Sequence, residues 1–131
     1  MPTIQDVKTG LIRSGINHAV NACHNASVNA GWWNDLTTGE KLQRNKGEML
    51  MLMVSEIAEA MEGERKNLMD DKLPHRKMAE VELADALIRI FDYAGGFGYD
   101  VAGALIEKLE FNAQRADHKP ENRAKADGKK F

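Results

Sequence analysis

Cysteine is almost absent from this chain: Cys23 is the only one in 131 residues. An intramolecular disulfide is thereby excluded, and so is any zinc site built from cysteines. Long apolar runs are missing as well. No stretch approaches the roughly 18 apolar residues that a membrane span needs, so no membrane association is expected. Asp6, Lys8 and Arg13 interrupt the N-terminal region, which therefore does not read as a signal peptide, and the expectation is a cytoplasmic protein. No alternating apolar and polar pattern points to a strand, and no internal repeat or low-complexity run is visible. Neither sign of charge dominates, with a formal net charge of −2, so nothing marks a general nucleic-acid binder. No Glu-x-x-His occurs anywhere, which argues against the di-iron helical bundles that use that pair on two helices. Finally, residues 14–34 contain not one Asp, Glu, Lys or Arg.

What is there instead is helical periodicity. Apolar residues recur at helical spacing over about 3–28, from Glu40–Arg44 to about Asn67, over about 75–94 and over about 100–117. Pro74 and the run Gly95-Gly96-Phe97-Gly98 read as breaks. The spacing predicts an all-α, four-helix bundle-like domain over residues 1–117. Residues 118–131 read as a short basic C-terminal tail, since Arg115 to Phe131 holds six Lys/Arg against three Asp/Glu.

The second and third helices carry the chemistry. Met49 to Val54 is apolar without interruption, and then come Glu56 and Glu59. On the third helix Glu82, Asp85, Arg89 and Asp92 step by three, four and three along a segment otherwise apolar from Val81 to Phe91. Residues three apart share a helix face, so each helix offers an acidic pair. If the two faces meet, four carboxylates converge and repel unless cations neutralise them. Mg²⁺, with Mn²⁺ as the alternative, takes oxygen ligands of this kind. Glu56, Glu59, Glu82 and Asp85 are thus the expected metal ligands, with Glu59, or else Glu56, as catalytic base, and Asp92 beside a further ion or a ligand.

Glu-x-x-Glu, an intervening segment of residues 60–81, then Glu-x-x-Asp resembles the MazG-like all-α nucleoside triphosphate pyrophosphohydrolases. In that family two adjacent Glu open the first motif, where this chain has Ser55-Glu56. A further family element, a Lys and an Asn four apart with an Arg three beyond, is matched by Lys108, Asn112 and Arg115. The resemblance covers about residues 45–117. It implies hydrolysis of a nucleoside triphosphate, favouring a deoxynucleotide, between the α- and β-phosphates, to a monophosphate and pyrophosphate. The related fold also serves dUTP and phosphoribosyl-ATP hydrolysis, and a helical interaction module without catalysis is the reading from another class. Lys108, Asn112 and Arg115, with Lys46, would bind phosphate oxygens.

The uncharged stripe of the first helix, Ser14, Asn17, His18, Asn21, His24 and Asn25, suits a subunit interface or a pocket for a neutral polar group. Asn side chains match a base edge, and aromatic rings stack on bases. The nucleobase is therefore expected between His18, Asn21 and Asn25 on one side and Trp32 or Trp33 on the other. Of two adjacent Trp, one is expected to plug the core. Helices apolar on nearly all sides, with the resemblance, imply a homodimer or homotetramer.

Overall fold

The computed structural model describes residues 1–131, and its regular elements are all helices. The elements are α1 (Ile4–Asn29), α2 (Lys46–Lys66), α3 (Met78–Phe97), α4 (Val101–Gln114), a 3-10 turn (Ala116–His118) and α5 (Pro120–Arg123). No strand forms. Two isolated antiparallel bridges, Asn34 with Lys41 and Met69 with Lys77, tie the loops. No helix is long and apolar enough to cross a membrane.

Helix ends follow from their caps. Thr3 and Asp6 bond reciprocally: the Asp6 N–H donates to Thr3 Oγ1 at 3.0 Å and the Thr3 N–H to Asp6 Oδ2 at 2.8 Å, which satisfies two of the first-turn donors of α1. Helix α2 begins later than the sequence suggests, because the Asn45 side chain accepts the Glu48 N–H at 2.9 Å. It ends on Asn67, in the left-handed region at φ 51°.

The Gly95–Gly98 break is corrected. Helix α3 runs through Gly95 and Gly96 and stops only at Gly98, with φ 73°. The first two glycines serve packing: a Cβ on Gly95 would meet His24 Cβ at 2.7 Å, and one on Gly96 would run into the Trp33 ring.

By contacts the chain divides into two compact units. One comprises His18–Tyr99. In it α2 and α3 form an antiparallel hairpin that closes tightly at Gly63, where a Cβ would meet Met78 Cβ at 2.9 Å. Its core is Val20, Trp33, Met49, Ala60, Ala79, Ala86 and Ala94. The other unit comprises Met1–Asn17 and Asp100–Phe131. Ala102, Gly103 and Ile106 of α4 are its buried residues. Within residues 118–131, Arg123 donates to Lys129 O, and the Lys130 ammonium donates to Arg123 O and Lys125 O.

Candidate metal centre

The α2–α3 hairpin brings the expected acids together. Oxygens of Glu56, Glu59 and Glu82 all lie within 4.8 Å of one another. Helical spacing aligns Glu56 with Glu59 on α2, and the close approach at Gly63 carries Glu82 across to them. They sit at the wall of a cavity of about 910 Å³, which Asp85, Glu62, Asp70, Asp71 and Lys72 also line, with Leu68, Met69, Leu73, Met78 and Val81 as its apolar part. Asp85 is half-buried one turn from Glu82.

The electrostatics are those of a crowded anionic site. Glu82 is only 8% exposed, and its pKa is pushed up to about 7. Burial is the main cause; a hydrogen bond with Glu56 and the Glu59 charge follow. Asp85 is raised too, by burial first and then by Glu56, while the Arg89 charge works in the opposite direction. Arg89 Nε donates to Glu56 Oε1 at 2.8 Å. Glu59 is the exposed member of the three.

Two contributors were not legible from spacing. Arg89 appears in the sequence as part of a stripe, but its pairing with Glu56 spans 33 positions. Asp70 is buried, and its Oδ2 accepts the N–H groups of Lys72 and Leu73 at 3.0 and 2.7 Å. That turn holds the 68–73 loop against the cavity. Its signal was the Asp-Asp-Lys-Leu-Pro run, since Asp bonds its own backbone two residues on.

Other expected site residues lie elsewhere. Asp92 is not at the acid cluster: its Oδ1 accepts Trp33 Nε1–H at 2.8 Å and faces His24 Nδ1 at 3.0 Å. Trp33 is the core-plugging member of the Trp pair, at 4% exposure against 62% for Trp32. Buried in this way, with His24 and Phe97 packed T-shaped with it and Arg44 over its ring, Trp33 has no face left for a base. His18, Asn21 and Asn25 are exposed and, like Trp32, do not line the acidic cavity.

Lys46 is also displaced from the acids. It opens α2, about 15 Å along the helix from Glu56, with Nζ over the Phe97 and Tyr99 rings. In the other unit, Lys108 and Asn112 line a mainly apolar cavity of about 430 Å³. Arg115 does not share their face. Helix α4 ends at Gln114, and the Arg115 guanidinium is taken by Asp117 at 3.0 and 2.7 Å.

Comparison of the chain with protein-family models, with curated proteins and with solved structures gives no match.

Proposed function

We propose that the chain is a Mg²⁺-dependent nucleoside triphosphate pyrophosphohydrolase of the MazG-like kind, with Mn²⁺ as an alternative ion. The observation that carries this reading is the meeting of Glu56, Glu59 and Glu82 within 4.8 Å at the wall of the cavity. The donor set fits a hard cation: all oxygen, with Glu82 so buried and so close to Glu56 and Glu59 that it holds its proton up to about pH 7. Glu56, Glu59, Glu82 and Asp85 would hold the ion, which supplies charge neutralisation on phosphate oxygens and on the leaving pyrophosphate.

The chain's own residues do the rest. Arg89 fixes the Glu56 carboxylate through Nε. Glu59, the exposed acid, would take a proton from an attacking water. Lys72 is the cation lining the cavity and suits a phosphate oxygen. A deoxynucleotide substrate and a homo-oligomer come with the same reading.

The test is pyrophosphate release with Mg²⁺ across ribo- and deoxynucleoside triphosphates. Wild type is expected to form monophosphate and pyrophosphate. Glu59→Gln and Glu82→Gln are each expected to lower turnover by orders of magnitude with helical content unchanged. Near-normal turnover in both variants would defeat the reading.

A further inference from the structure

The α2–α3 hairpin has two unlike sides. Glu59 and Asp85 point to the cavity side. On α2, Leu50, Val54, Ile57 and Met61 follow at intervals of four, three and four, which makes a single stripe. At 100° per residue it is turned by roughly a third of a circle from the inward set of Met49, Ala60 and Gly63. Leu83 and Leu87 of α3 fall on the same side of the hairpin. All six are 43–56% exposed, and no charged residue lies within the stripe.

We propose that this face is where a second copy of the chain docks, with α2 of one copy packed antiparallel on α2 of the other. The proposal rests on the homo-oligomer that comes with the reading above, and its test does not involve turnover. Two arguments select a second copy. The first is extent. Two helices side by side, 8–10 Å apart, present a face about 20 Å by 20 Å, on the order of 400 Å². A standard interface takes about 800 Å² from each partner, with somewhat more than half of it apolar, so this face supplies the apolar share. Two hairpins closed over it make a four-helix core.

The second argument is charge. Arg65 and Lys66 both pair with Glu62, which leaves Glu64 without a cation of its own chain. Lys46, at the other end of α2, rests on aromatic rings and has no carboxylate partner. Lys46 and Glu64 flank the stripe on the same side. A two-fold axis passing beside Ser55 and Glu56 sets Leu50 against Met61 and Val54 against Ile57. It also brings Lys46 of each copy within reach of Glu64 of the other, twice over, as an isologous contact requires.

Sedimentation and disulfide trapping test this on the full chain carrying Cys23→Ser. The unsubstituted chain is expected at twice 14.6 kDa or a higher even multiple. Adding Val54→Cys, close to the axis, is expected to give a cross-linked dimer on mild oxidation. Adding Met61→Cys instead is expected to give none, because its two copies lie about 16 Å apart along the helices, beyond the roughly 7 Å between Cα atoms that a disulfide spans. Ile57→Asp is expected to sediment as a monomer with its helical content retained. An oligomer in which Val54→Cys fails to cross-link, or Met61→Cys succeeds, overturns this face and leaves the homo-oligomer standing. A monomeric wild type overturns both.

Discussion

At the residue scale the decisive group is Glu82. It is buried beside two other carboxylates, so its ionised form is costly and its pKa sits near 7. Unfolded, it titrates near 4.3. Between those values the folded chain holds a proton that the unfolded chain has released, so stability falls as pH rises through this window. The contribution is fully present below about pH 4 and lost above about pH 7. Asp85, also raised, acts with the same sign. Urea unfolding of the metal-free protein from pH 4 to 8 is expected to show this decline, and Glu82→Gln to flatten it. The acids themselves were legible because three-residue spacing is local geometry. Arg89–Glu56 and the Asp70 turn were not, because the first is a tertiary contact and the second depends on how a loop folds back.

At the scale of elements, α1 is joined to α3 by one polar hub. Asp92 accepts the Trp33 indole N–H and faces His24, while Gly95 and Gly96 make room for those two rings. The sequence shows the periodicity of α3 clearly, but reads its two glycines as a stop. They are instead recesses, and only the ring that fills them reveals it. Asp92→Ala leaves the buried indole donor unpaired and is expected to cost about 1–3 kcal/mol. Asp92→Asn keeps an acceptor for it and should cost less. Gly96→Ala sets a methyl group against Trp33 and is expected to destabilise by about 1–3 kcal/mol through overpacking. Urea midpoints, with Trp33 fluorescence as the probe, measure all three. Arg115 illustrates the same limit at a helix end: its spacing from Asn112 is helical, but the helix stops one residue short and Asp117 takes the guanidinium.

At the scale of the whole molecule, the helical class was legible from periodicity. Nothing in composition marks a boundary inside α1, or predicts that the basic segment folds back on its own carbonyls. The acids that would hold a cation all belong to one unit, His18–Tyr99. A ligand that binds only the folded state stabilises it by mass action, about 2.7 kcal/mol at a hundred times its dissociation constant. Mg²⁺ or Mn²⁺ is therefore expected to raise the urea midpoint of the wild type, and to do so more at pH 8 than at pH 6, where Glu82 still holds its proton. The shift should vanish when Glu59→Gln and Glu82→Gln are combined. Amide exchange should slow in α2 and α3, whose apposed faces the ion would bridge. If added cation leaves the wild-type midpoint unmoved at both pH values, the carboxylates are not a metal site, and their crowding is a cost of the hairpin alone.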